Sequence, residues 1–212
     1  MKKDYRNTIY CSELENINEK KQKLNEIIFK EHPRLKILYN QIKDNDSTYK
    51  KEFMKIYNCK CSYCGNTINN INYNLFEVDH YICESSFKSK EIAGKIENLV
   101  LACYDCNRAK TNFLIEDTYR EILNPDLEKI KDVFCRDEKY YIRISEEYKG
   151  DKFINLFYDQ LKLSYQSRRL DYLLINIRGV CQKFEGTPQA DKLNVILNKL
   201  QQKRNLTSCK KN

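Results

Sequence analysis

Two Cys-x-x-Cys pairs, Cys61-Ser62-Tyr63-Cys64 and Cys103-Tyr104-Asp105-Cys106, are the residues whose type and spacing most directly imply chemistry. A two-residue spacer lets one tight turn present both sulfurs of a pair from the same side. Two such pairs supply the four thiolates of a tetrahedral structural zinc. Reduced cysteines paired by coincidence, or a redox dithiol, are the alternative. Cys59 could compete with Cys61, but its spacing to Cys64 is looser and it is expected to be a bystander. Cys11, Cys83, Cys135, Cys181 and Cys209 are expected to be packing or surface thiols.

A zinc ribbon places about 15 to 20 residues between its pairs. Here residues 65–102 form a longer insertion. It contains the strand-like Phe76-Glu77-Val78-Asp79-His80, and Glu97-Asn98-Leu99-Val100-Leu101-Ala102 runs directly into the second pair. A zinc joining the two ends would bring Asp79-His80 beside Cys106-Asn107-Arg108-Ala109-Lys110. An imidazole, with an ordinary pKa near ~6.5, is suited to general-base work at neutral pH. Standing alone, His80 would read as a hydrogen-bonded strand histidine; Asp79 beside it and the enclosing cysteine pairs favour chemistry. The second histidine, His32, lies in Glu31-His32-Pro33-Arg34 with no ligand-like neighbours and is expected at a surface or helix end. Glu77 shares a strand face with Asp79 at period two, either supporting it or as an exposed carboxylate.

Taken in order, Cys-x-x-Cys, Asp-His, Asn-Leu and Cys-x-x-Cys-Asn-x-x-Lys, residues 61–110 are similar to the HNH endonuclease family. The likeness covers roughly a quarter of the chain. Asn107 stands where some members carry histidine, and it keeps a neutral oxygen ligand. The resemblance implies a ββα-metal module, a two-stranded hairpin and a helix gripping a divalent cation such as Mg2+ or Mn2+. Asp79 and Asn107 would hold that cation through oxygen. His80 would take a proton from the attacking water, and Asn98 would brace the loop that aims the imidazole. The implied activity is metal-dependent endonucleolytic hydrolysis of nucleic acid, DNA foremost. The layout also resembles bacterial defence nucleases of the restriction and Septu type, which implies a regulatory or ATP-hydrolysing protein partner. The rival reading is a non-catalytic, zinc-stabilised module that binds nucleic acid or protein.

The elements that must position these residues are legible in outline. Leu24, Ile27 and Ile28, then Leu35 and Leu38, suit amphipathic helices interrupted near Pro33. Residues 139–145 alternate as a strand. Phe153, Leu156, Phe157 and Leu161, and then Leu170, Leu173, Leu174, Ile177 and Val180, recur at helical spacing. The expectation is an α+β fold, with a nuclease module at 51–115 between a helical N-terminal extension at 1–50 and a mainly helical region at 116–212.

Arg108 and Lys110 are candidates for phosphate contact, and Tyr63, Tyr81 and Tyr104 for base stacking or core positions. Arg168 and Arg169 read as solvated cations, and so do the lysines of the C-terminal tail, including Lys210 and Lys211. The net charge of +8 fits a nucleic-acid partner but spreads along the chain. No apolar run is long enough to span a bilayer and no signal sequence is evident. The chain is therefore expected in the cytoplasm, where clustered thiols bind metal rather than form disulfides.

Overall fold

The computed structural model describes residues 3–11 and 13–206. Cys209, Lys210 and Lys211, for which a surface role was expected, lie outside the described residues. The chain begins as a strap, residues 3–11, and then forms helices α1 (Ile17–Glu31), α2 (Tyr39–Ile42) and α3 (Thr48–Ile56). Helix α1 stops ahead of Pro33, and Ser47 caps α3 by accepting from Tyr49 N at 3.2 Å. In α1 the buried face is Ile17, Lys21, Leu24 and Ile28, spaced by three and four residues. Ile27, expected on that face, is exposed instead.

Strand β1 (Phe76–His80), helix α4 (Lys90–Ala93), strand β2 (Leu99–Cys103) and helix α5 (Tyr104–Lys110) follow. β1 and β2 pair antiparallel, with Phe76 opposite Cys103 and His80 opposite Leu99. All five residues of β2 are buried, as befits an uninterrupted apolar run covered on both faces. Cys103 ends β2 and also caps α5, so strand and helix join without a loop.

The remainder is α6 (Ile130–Val133), a small antiparallel hairpin of β3 (Phe134–Arg136) and β4 (Ile142–Ile144), and helices α7 (Lys152–Gln160), α8 (Gln166–Lys183) and α9 (Pro188–Leu206). The strand expected over 139–145 is shorter, because Asp137 turns the chain by accepting from Lys139 N and Tyr141 N, both at 2.9 Å. In α7, Ile154, Phe157 and Tyr158 face inward, whereas Leu156, expected among them, is exposed. The fold is thus mixed, helices with two small sheets. One hydrophobic cluster draws on Tyr5, Ile28, Leu101, Phe134 and Leu161, and so on every part of the chain up to α7.

Candidate metal centre and active site

Cys61 and Cys64 sit in a turn closed by Gly65 N donating to Cys61 O at 2.9 Å. Gly65 has φ +77, and a Cβ there would lie 2.6 Å from Arg6 O, so only glycine fits. Ser62 N donates to Leu101 O at 2.8 Å and fastens this turn to β2, whose end and the following helix carry Cys103 and Cys106. All four cysteines are buried and their Sγ atoms lie within 4.8 Å of one another. Cys64 and Cys103 Sγ are 3.8 Å apart. That is far beyond a disulfide bond of about 2.05 Å. It matches the edge of a tetrahedron with metal–sulfur bonds of about 2.3 Å, roughly 3.8 Å. Burial, with bonding from the other three thiols, pushes Cys106 well above the usual thiol range. Four buried sulfurs at this spacing fit a zinc site, whose charge would favour the thiolate forms.

The strongest surprise around the cluster is Arg168. Expected to be solvated, it is 3% exposed, and its Nη1 lies 3.8 Å from both Cys64 Sγ and Cys103 Sγ. A zinc held by four thiolates carries net negative charge, which a buried guanidinium on α8 offsets. The next turn of α8 adds Asp171, buried, which accepts from Asn66 Nδ2 at 3.0 Å and Arg204 Nε at 2.8 Å. Arg6 closes the other side: its Nη1 donates to Ser62 O and Pro125 O, both at 2.7 Å, and Asp4 neutralises it.

Around His80 the chemistry differs. A cavity of about 230 Å3 is lined by Tyr39, Asp79, His80, Glu84, Asn107 and Arg108, with Val78, Cys83 and residues 110–112 completing it. Asp79 is buried; Tyr63 Oη donates to its Oδ2 at 2.8 Å, and Lys110 Nζ lies 3.1 Å from both carboxylate oxygens. Burial pushes the Asp79 carboxyl above its ordinary range, against the pull of Lys110 and Tyr63. The His80 ring lies on that of Tyr39, centroids 4.4 Å apart and tilted 41°. His80 Nε2 is buried and has no hydrogen-bond partner. Burial pulls the imidazole below its usual value, with Glu84 opposing and Lys110 reinforcing.

Asn107 Nδ2 donates to Glu77 Oε2 at 2.5 Å, and Arg108 Nη2 donates to Glu77 Oε1 at 3.1 Å. With its amide nitrogen committed, Asn107 has an amide oxygen left to offer, and Asp79 offers carboxylate oxygens. That donor set suits a hard divalent cation.

Asn98 does not line this cavity. Its Nδ2 donates to Ile82 O at 2.9 Å and Ala93 O at 2.8 Å, and its Oδ1 accepts from Ile82 N at 2.8 Å. It therefore clamps the segment that leaves His80.

Lys110, expected to contact phosphate, is 1% exposed and lines the His80 cavity; its ammonium donates to His80 O at 2.7 Å as well as to Asp79, and so holds β1 to α5. Tyr63 and Tyr81, expected to stack on bases or fill the core, are buried. Tyr104 is exposed, with Arg108 Cζ 5.2 Å over its ring. Tyr39 was missed altogether, because a tyrosine on a four-residue helix in a distant segment carries no motif.

The comparisons agree with this geometry over a limited stretch. A family model described as HNH endonuclease matches residues 61–113, which include the four cysteines, Asp79, His80, Asn98 and Asn107. Neither the curated proteins nor the solved structures searched contain a match. The family match points to a nuclease-type function for this segment. Tyr39, Arg6 and Arg168 all lie outside it.

Proposed function

We propose that the chain is a metal-dependent endonuclease that hydrolyses phosphodiester bonds, with DNA as its substrate. The observation that carries this reading is the buried, unpartnered Nε2 of His80 in a cavity shared with Asp79 and Asn107. A buried polar atom without a partner carries a desolvation cost, and at functional sites such an atom is one that substrate or water completes. His80 is the general base and takes the proton of the attacking water. Tyr39 limits the tilt of its ring. Asn98 anchors the segment that follows it, and Lys110 holds its carbonyl against α5. Asp79 and Asn107 would hold Mg2+ or Mn2+ through oxygen, with Glu77 fixing the Asn107 amide. When bound, the cation supplies stabilisation of negative charge on the phosphate and the leaving oxygen. Arg108, 64% exposed at its side chain, is placed to meet substrate phosphate at the rim.

The experiment compares the native chain with His80→Ala at matched zinc content on plasmid, linear duplex and single-stranded DNA and on RNA. Loss of a general base is expected to slow cutting by about 10²- to 10⁴-fold. Equal cutting by both chains would remove His80 from the mechanism.

A second reading, a non-catalytic zinc-stabilised binding module, is favoured by one observation: Tyr63 and Lys110 already engage both oxygens of Asp79. It predicts binding without cutting by either chain. A role in bacterial defence, with a regulatory or ATP-hydrolysing partner on the helical flanks, extends the first reading. Exposed apolar side chains there, Ile27 on α1 and Val195 and Ile196 on α9, support a partner surface. No helix is long and apolar enough to cross a membrane among the described residues, in keeping with a cytoplasmic site of action.

A further inference from the structure

A second cavity, of about 340 Å3, shares no lining residue with the His80 cavity. Its walls come from the N-terminal strap, α6, the β3–β4 hairpin and α8, and include Lys3, Lys131, Arg136, Tyr140 and Tyr172. Three of these pack together. Arg136 Cζ lies 4.0 Å over the Tyr172 ring, and Tyr140 stacks on Tyr172 with centroids 5.6 Å apart and planes 26° apart. Tyr140 is 46% exposed, which leaves part of it open to a ligand in the cavity.

The backbone marks the same residue. Tyr140 has φ +67, at the hairpin position where the left-handed conformation favours glycine or asparagine. A tyrosine there carries strain that packing alone does not explain, since much of its ring faces solvent.

Charge makes the ligand more specific. Arg136 donates Nε to Tyr5 O at 2.7 Å and Nη1 to Tyr140 O at 2.8 Å, both neutral acceptors. Among the described residues no carboxylate pairs with it. The two acids on the cavity wall, Asp4 and Asp137, are engaged by Arg6 and Arg143. Burial pulls the Arg136 guanidinium down to about 10, the direction expected of a cation lacking compensation. Lys131 is already held by Glu128 at 2.7 Å, so a ligand suited to this wall offers a flat aromatic face to Tyr140 and negative charge to Arg136 and Lys3.

The geometry points to a nucleotide-binding site here, apart from the His80 cavity, in which the base stacks on Tyr140 and the phosphate meets Arg136 and Lys3. The nucleotide is an unpaired unit of a nucleic-acid strand, or a free one of the same chemistry. The site would thicken the grip of the proposed nuclease on a single-stranded or frayed substrate, and only that last statement rests on the nuclease reading.

The test uses the full, zinc-loaded chain carrying His80→Ala, which keeps the probe intact, and measures fluorescence anisotropy with labelled oligothymidylate. Tyr140→Gly is expected to weaken binding about tenfold, the scale of one lost base stack. Because glycine adopts positive φ freely, its melting temperature should stay level or rise. Tyr140→Phe should bind like the parent, and a duplex of the same sequence should be indifferent to either change. Competition by thymidine 5′-monophosphate would assign the site to a free nucleotide. Strand binding without such competition would assign it to a polymer. Equal affinity of Tyr140→Gly and its parent, or no binding of either probe, would overturn the proposal whatever the native chain does to DNA.

Discussion

Around the four cysteines the protein is closed: none of the thiols is more than 4% exposed, Arg168 on α8 lies against two of them, and Arg6 of the N-terminal strap holds the Cys61–Cys64 turn. Around His80 it is open, with a cavity of about 230 Å3, a half-buried imidazole and a ring nitrogen left without a partner. Both regions use the same hairpin and helix, a few residues apart along β1, β2 and α5. The contrast follows the rule that structural metal sites are fully enclosed by protein ligands, whereas reactive sites keep a position for water or substrate. One region supplies rigidity and the other spends it, since an imidazole with nothing to bond must be held by its surroundings.

The largest effect should come from breaking the closed region. Replacing Cys61 and Cys103 together with serine is expected to abolish zinc binding and cooperative folding, because in small zinc modules metal binding contributes on the order of 10 kcal/mol to folding. Metal analysis and circular dichroism would show it, and a folded, zinc-free double variant would refute the structural role. Arg168→Leu is a gentler cut at the same region. Losing the buried cation over the thiolates should lower stability by about 2 to 4 kcal/mol and loosen zinc roughly 10- to 100-fold, read by denaturant unfolding and chelator competition.

Asn98→Ala addresses the open region without touching the cavity. It leaves Ile82 N, Ile82 O and Ala93 O short of partners, at about 1 to 3 kcal/mol, and should slow any cutting while zinc stays bound. Unchanged cleavage would mean that the segment after His80 is held by something else.

The smallest effect is expected from pH, through the strap. Burial raises Asp4, but attraction to Arg6 and hydrogen bonds from it outweigh that, so the folded carboxyl sits below its ordinary range. A depressed carboxyl contributes stability above its unfolded pKa and loses it as pH falls through the folded value. The native chain should therefore lose more stability than Asp4→Asn between about pH 5 and about pH 2. Equal losses in both chains would show that the strap titrates elsewhere.

Where the site was legible, it was legible for a local reason. Cys-x-x-Cys places two sulfurs on one turn whatever surrounds it, and Cys103, Cys106 and Asn107 are related by the strand-to-helix junction alone. The ββα order came from the resemblance to the HNH family, and the helical periods of α1, α7 and α8 from their apolar spacing. Errors arose where partners lie far apart in sequence. Lys110 and Arg168 resemble surface cations until Asp79 and Cys64 are brought to them across 31 and 104 residues. Tyr39 and Tyr140 carry no motif at all; one matters because α2 lies against β1, the other because a short hairpin turns its backbone to positive φ.

By itself, then, the amino-acid sequence determined which side chains could bind metal or move a proton, because those capacities reside in the residue types and in spacings that one turn or one strand preserves. Only the tertiary structure decided which cations are buried as braces, which imidazole nitrogen is left unpartnered and which tyrosine faces an open cavity. Those outcomes depend on desolvation and packing between segments that no local spacing relates.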